Sequence, residues 1–265
     1  MSSFGFWGCG NMAKAMMRGF IANHAEHASK LFCISKNGDS AKAFAAQTGV
    51  QALDTPQELN THCGFIVLAF KPQQLDAIAA EYGPSIQCTV ISVLAGASLA
   101  KLRTAFPRAA LIIRTMPNTP GRVGKGATAY VTERPLKEAE EKDVNKLLGS
   151  LGSVYPIEEA EMDAYTAVAG SGPAYVFAFI EAMEHAAKQA GLAPELAAQL
   201  AKETVWGAAC LAKDSEDSPT RLREQVTSPN GTTAAGLSVL RSSIDELVAR
   251  TVEAAKARSI EMSKE

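Results

Sequence analysis

Metal-binding and disulfide patterns are missing from this sequence. Its five cysteines (Cys9, Cys33, Cys63, Cys88 and Cys210) are scattered and form no C-x-x-C pair. That excludes a zinc knuckle or a dithiol redox motif, and four of the five fall in or beside expected strands, where a buried reduced thiol is the natural state. Histidine is scarce as well. His24 and His27 share a helical spacing but lie near a helix end among small polar residues, so they are expected to be exposed and catalysis to need no metal. A net charge of −2 offers no basic field for nucleic acid and no polybasic patch for a membrane. The longest strongly apolar helical run, Ala174 to Ile180, is far too short to span a bilayer. No charged-then-apolar leader opens the chain, which points to a cytoplasmic location. Internal repeats and low-complexity tracts are absent too.

What remains is a globular composition: 265 residues, 47% hydrophobic and 20% charged, enough for one or two domains with a sizeable core. The chemistry starts at once. Phe4 to Trp7 reads as an opening strand, followed by Gly8-Cys9-Gly10-Asn11-Met12-Ala13. Gly8-x-Gly10-x-x-Ala13 is the fingerprint of a strand-to-helix turn that cradles a dinucleotide pyrophosphate. Gly8 makes the tight turn, Gly10 carries no Cβ to hold the phosphates off the backbone, and Ala13 lets the helix sit close to the strand. The helix from Asn11 to about Asn23 carries Met12, Met16 and Phe20 on one face. Its first residues, Asn11 and Met12, present free N–H groups to an anion. Alone, such a string also describes a glycine turn without a ligand; its place in a strand–turn–helix pattern favours the nucleotide.

The second strand, Leu31 to Ile34, ends in Ser35-Lys36-Asn37. A site selective for NAD usually has a carboxylate there for the ribose diol, and Asp39 comes several residues too late. A hydroxyl, an ammonium and an amide suit a 2′-phosphate, so NADPH is favoured over NADH, with modest discrimination because Lys36 is a point charge rather than an arginine fork. The alternative is an ordinary solvated turn.

Up to about residue 155, short apolar runs (Phe4–Trp7, Leu31–Ile34, Gly64–Ala69, Thr89–Leu94, Ala109–Arg114, Ala127–Val131, Ser153–Pro156) alternate with helical patterns at 40–47, 73–80, 98–105 and 137–149. Thr55-Pro56-Gln57-Glu58 is a capping-box helix start. Such alternation implies a mostly parallel sheet covered on both faces. From Glu158 onward the pattern is helical: 158–168, 173–190, 194–212, 219–226, 233–242 and 244–263. The expected fold is therefore an α/β N-terminal Rossmann-type dinucleotide-binding domain (1–156) followed by an all-α C-terminal domain (157–265). The helix after Pro173 is apolar nearly all round at its start, which calls for burial on several sides and places it at a subunit interface.

Three more segments stand where an open α/β sheet exposes its strand ends to ligand. In Ala69-Phe70-Lys71-Pro72-Gln73, Lys71 meets the cofactor or caps a helix entrance. In Val93-Leu94-Ala95-Gly96-Ala97, the small Ala95 and Gly96 let a flat nicotinamide approach the backbone, or merely make a turn. Arg114-Thr115-Met116-Pro117-Asn118-Thr119-Pro120 is a loop made rigid by its prolines, with an amide at the sheet edge. Late in the chain, Ser228-Pro229-Asn230-Gly231-Thr232-Thr233 opens a helix whose N–H groups and hydroxyls suit a small anionic substrate, or form a plain helix cap.

With Gly170-Ser171-Gly172-Pro173-Ala174-Tyr175 and the segments above, in this order, the chain resembles the pyrroline-5-carboxylate reductases over essentially its whole length. The resemblance implies a Rossmann domain, a helical domain that interlocks two chains, and reduction of 1-pyrroline-5-carboxylate to L-proline with NAD(P)H. It also implies that Thr233 hydrogen-bonds the ring nitrogen. The expected substrate contacts are then Ser228, Asn230, Gly231, Thr232, Met116 and Asn118. Those to the cofactor are Gly8, Gly10, Asn11, Met12, Ser35, Lys36, Asn37, Ala69, Lys71, Pro72, Ala95 and Gly96. A homodimer is expected, with assembly into larger rings left open. The family commonly has two glycines where this chain has Asn230-Gly231; asparagine tolerates positive φ, so the loop is expected to form. Two other readings stay in view. A β-hydroxyacid dehydrogenase would place a lysine on the first long helix of the second domain, yet Ser171 to Glu184 holds none and Lys188 comes too far along. A non-catalytic NADP(H)-binding regulator would need no hydroxyl at Thr233.

Overall fold

A computed structural model of the chain describes residues 2–264. Strand β1 (Phe4–Trp7) leads into α1 (Asn11–Asn23), then β2 (Leu31–Ile34), α2 (Asp39–Thr48), the two-residue β3 (Gln51–Ala52) and α3 (Pro56–His62). There follow β4 (Phe65–Leu68), α4 (Leu75–Tyr82), β5 (Thr89–Ser92), α5 (Leu99–Ala105), β6 (Leu111–Met116), β7 (Gly126–Thr132), α6 (Glu138–Gly149) and β8 (Gly152–Pro156). The remainder is helical: α7 (Met162–Tyr165), a π turn at Thr166–Gly170, α8 (Gly172–Gln189), α9 (Pro194–Asp214), α10 (Pro219–Gln225), α11 (Thr232–Leu240) and α12 (Ile244–Lys264). The capping box anticipated at α3 is formed: Thr55 Oγ1 accepts from the Glu58 N–H, and Glu58 Oε2 accepts from the Thr55 N–H. The single helix expected over 158–168 is instead a short 3₁₀ turn, α7 and the π turn.

Among the described residues, eight strands form one sheet in the order β3-β2-β1-β4-β5-β6-β7-β8. All pairs are parallel except β6 with β7. The reversal follows the rigid Pro117–Pro120 segment and a 3₁₀ turn (Thr119–Val123) that ends on Gly124 in the left-handed region. All residues of β1, β2, β4 and β5 are buried, as a parallel sheet covered on both faces requires, while the edge strands β3 and β8 are not. Phe4 and Phe6 join α1, α2 and α6 in one core, and Trp7 joins α3, α4 and α5 in the other.

The chain divides into two compact units, one of Met1–Gly170 with Ala255–Glu265, the other of Ser171–Ala254. Residues after β8 stay with the first unit because Met162 and Tyr165 pack on Ala129 and Val131. In the second unit α8 has no buried residue, and Phe177 is 62% exposed. Among the described residues no helix is long and apolar enough to cross a membrane.

Candidate active site

The strand order places a switch point between β1 and β4. The chain steps outward from β1 to β2 and β3, then returns to lay β4 on the other side of β1. Loops leaving the two strands diverge there, opening a crevice at the carboxyl edge. The edge is drawn together by backbone bonds: the Gly8 N–H donates to Ile34 O at 3.1 Å, and the Ala69 N–H donates to Trp7 O at 2.9 Å. The ends of β1, β2 and β4, with Gly8, Ser35 and Ala69, are thus one construction.

Gly8 and Gly10 are glycines for different reasons. Gly8 has φ +109°, and a Cβ there would lie 2.5 Å from Ala69 O, so the fold itself demands glycine. Gly10, the N-cap of α1, has φ −83°, and the nearest atom to its would-be Cβ is Ala69 O at 4.0 Å. Nothing inside the protein forbids a side chain at Gly10; the open space is of the kind a pyrophosphate needs. The N-terminus of α1 has no side-chain cap and no acidic residue in its first turn, so the N–H groups around Asn11 and Met12 are turned to solvent and free of a competing negative charge.

The loop is pinned from behind. Ser40 Oγ donates to Cys9 O at 2.9 Å, and the buried Cys9 thiol donates to Ser40 O at 3.5 Å. The Cys33 thiol bonds to Cys9 and favours Cys9 as the first of the two to ionise; that bond, with burial, pushes Cys33 upward. After β2, Ser35 Oγ accepts the Ala41 N–H at 3.1 Å, which leaves its proton for another acceptor, while Lys36 and Asn37 are exposed. Lys71 is exposed, and its N–H, not its ammonium, takes part in the helix entrance, donating to Gln74 Oε1 at 3.1 Å. Pro72 opens the short 3₁₀ turn that leads to α4. Ala95 and Gly96 follow β5, Gly96 at φ +77°.

Two residues expected at the substrate are engaged inside the first unit. Met116, at the end of β6, packs against Gly170 of the π turn. Asn118 is 9% exposed, donates from Nδ2 to Ala169 O at 3.0 Å, and accepts at Oδ1 from the Ala127 N–H at 3.0 Å. Its amide clips the π turn to β7, a task that its place between two prolines did not disclose.

Sequence reasoning also passed over the Arg114–Glu159 pair. Arg114, 6% exposed, donates to Glu159 Oε1 at 2.6 Å, and the same oxygen accepts the Leu99 N–H at 3.2 Å. A charged residue inside an otherwise apolar strand, Leu111-Ile112-Ile113-Arg114, was the signal available.

In the second unit, Asn230 is in the left-handed region at φ +59°, the only non-glycine residue with positive φ among those described. The Gly231 N–H donates to Ser228 O at 3.0 Å and closes the turn, and a Cβ on Gly231 would strike Ser228 Oγ. Gly231 caps α11 through its backbone alone. Thr232 and Thr233 then form the first turn of α11; with Ser228 and Asn230 they are exposed, and their side chains make no hydrogen bond within the described residues.

Comparison with known proteins agrees with this geometry. A family model described as pyrroline-5-carboxylate reductase dimerisation matches residues 159–262, and one described as NADP oxidoreductase, coenzyme F420-dependent, matches residues 3–96. Pyrroline-5-carboxylate reductase 2 of Bacillus subtilis is 36% identical, over 100% of this chain and 96% of its own length. The Escherichia coli pyrroline-5-carboxylate reductase is 32% identical, over 94% and 95%. Among solved structures, a pyrroline-5-carboxylate reductase from Coxiella burnetii superposes with a TM-score of 0.93 at 32% identity, covering 100% of this chain and 99% of the other. The Plasmodium falciparum pyrroline carboxylate reductase, solved with NADP bound, gives 0.85 at 31% identity over 99% and 98%. A Rossmann sheet with an open glycine at α1, a helical unit with a hydroxyl-lined turn, and likeness over the full length place the chain in one family: it belongs to the pyrroline-5-carboxylate reductases.

Proposed function

We infer that the protein reduces 1-pyrroline-5-carboxylate to L-proline, the closing step of proline synthesis, with NADPH as the preferred cofactor. The observation that carries the substrate reading is the Ser228–Thr233 turn: unpaired hydroxyls and helix N–H groups at the start of α11. A dinucleotide fits the first unit because the space a Cβ would fill at Gly10 is open and the α1 N-terminus is uncapped. Gly8, Gly10, Asn11 and Met12 would hold the pyrophosphate, Ser35, Lys36 and Asn37 the 2′-phosphate, and Ala69, Lys71, Pro72, Ala95 and Gly96 the nicotinamide side. When bound, NADPH supplies the hydride that the imine carbon accepts.

Everything else falls to the chain. An imine nitrogen is readily protonated near neutral pH, so no strong general acid is required. Thr233 Oγ1 orients that nitrogen and stabilises it as it becomes an amine. Ser228, Thr232 and the N–H groups around Gly231 take the carboxylate, helped by the helix dipole. Asn230 shapes the turn. Met116 and Asn118 serve the substrate through the π turn they hold. The apolar start of α8 is the surface for a second copy, where covering each large side chain is worth roughly 1.5–3 kcal/mol. The free thiols fit a reducing compartment such as the cytoplasm.

The test is NADPH oxidation with pyrroline-5-carboxylate. Thr233→Ala should lower kcat roughly 10–100-fold with the KM for NADPH unchanged, while Thr233→Ser keeps most of the rate. Cofactor binding without turnover in the wild type would instead support the regulator, and full activity in Thr233→Ala would remove the role given to that hydroxyl.

A further inference from the structure

Gly96 is glycine for a local reason and a distant one. Locally, its φ of +77° is a conformation that side chains resist. The distant reason is the end of the chain: a Cβ on Gly96 would lie 3.0 Å from the carbonyl oxygen of Met262 and 3.4 Å from Met262 Cβ. Helix α12 begins in the helical unit, but its last residues belong to the α/β unit. They are anchored there. Ser259 is 8% exposed and its hydroxyl donates to Asp163 Oδ1 of α7 at 2.7 Å. Met262 lies one turn further on, against Gly96, and lines a cavity of about 140 Å³ with Pro72, Gln73, Ala95 and Lys101.

This cavity joins the loops that follow β4 and β5. The second loop is held at both ends as well: the Leu94 N–H donates to Ser92 Oγ at 3.2 Å and the Leu99 N–H to Glu159 Oε1 at 3.2 Å. At its apex the Ala97 N–H donates to Leu94 O at 3.4 Å, and the carbonyl and Cβ of Met262 lie against Gly96.

We propose that Ser259 and Met262 are positioning residues for hydride transfer, holding the Ala95-Gly96 backbone at the level where it meets the nicotinamide. The proposal rests on the NADPH placement given above. It follows from the steepness with which rate depends on alignment: a displacement of about 1 Å in a positioning contact lowers a rate by as much as about 100-fold. Met262 meets Gly96 through its carbonyl and Cβ, which alanine keeps, so shortening its side chain acts by enlarging the cavity beside the loop apex, without touching any group that contacts the substrate. Removing the Ser259 hydroxyl releases the helix turn that carries Met262.

Steady-state kinetics on Met262→Ala, Ser259→Ala, Met262→Leu and Ala95→Leu, with thermal midpoints, test the idea. Met262→Ala and Ser259→Ala should raise the KM for NADPH about fivefold or more and lower kcat, with the KM for pyrroline-5-carboxylate within about twofold. Met262→Leu, similar in reach, should restore both parameters. Wild-type kinetics in Met262→Ala, or a lowered midpoint with no change in KM for NADPH, would overturn the positioning role. If Ala95→Leu raises the KM for NADPH in that case, the cofactor placement survives and only the brace is lost. An Ala95→Leu enzyme with an unchanged KM for NADPH would overturn both.

Discussion

A β-carbon on Gly8 would lie 2.5 Å from the carbonyl oxygen of Ala69, whereas one on Gly10 would meet nothing closer than 4.0 Å. The two glycines of the turn between β1 and α1 therefore answer to different demands, and alanine substitution should separate them. Gly8→Ala forces a positive-φ residue against backbone at the junction of β1 and β4; a cost of about 1–3 kcal/mol from strain alone should lower the thermal midpoint. Gly10→Ala should fold with an unchanged midpoint yet bind NADPH about tenfold or more weakly in a fluorescence titration. Equal loss of stability in the two variants would contradict this division.

Lys36 is exposed at the end of β2, and the Ser35 hydroxyl beside it still has a proton to donate. If the pair receives the 2′-phosphate, Lys36→Ala should raise the KM for NADPH by about tenfold and leave that for NADH alone, since one charge-assisted contact is worth roughly 1.5 kcal/mol. An unchanged NADPH-to-NADH ratio would place the phosphate elsewhere.

The Arg114–Glu159 bond is a stability element. Glu159→Ala leaves a buried guanidinium unpaired and takes the acceptor from the Leu99 N–H at the start of α5. The expected loss in urea denaturation is about 3 kcal/mol. Replacing both partners, Arg114→Met with Glu159→Leu, should recover most of it, because an apolar pair carries no desolvation penalty. A double variant as unstable as the single one would count against this account.

Acid sensitivity has a contributor in α6. Glu140 accepts two hydrogen bonds from Arg134 and one from the Lys137 N–H, and the Arg134 guanidinium above all lowers its carboxyl from 4.5 to about 2. A carboxylate depressed in the folded state stabilises the protein fully above its unfolded value, and that share is lost as the pH falls through the folded one. The wild type should therefore melt above Glu140→Gln by a constant margin above about pH 5, the margin closing as the pH falls toward about 2. A margin that persists at the lowest pH would mean that the contribution is not ionic.

Much of this was legible in the residue order. The Thr55–Glu58 capping box, the Phe4–Trp7 strand and the Gly8–Ala13 turn are local, written in neighbours a few positions apart, and they formed as read. The Asn230 conformation was legible for the same reason. Other features were not local. The segment at 158–168 has a helical pattern, yet its end runs into a π turn whose Ala169 carbonyl accepts a hydrogen bond from Asn118, 51 residues away. The reversal between β6 and β7 depends on a turn whose prolines announce rigidity but not direction.

Alone, the sequence determined where most of the strands and long helices lie and singled out the two glycine-bearing turns, because capping, periodicity and glycine conformation act over a few residues. Tertiary structure decided what those turns are pressed against: Ala69 behind Gly8, open space before Gly10, Met262 over Gly96 and Glu159 on Arg114. Such pairings are set by long-range packing of the sheet and helices, for which no short-range pattern exists.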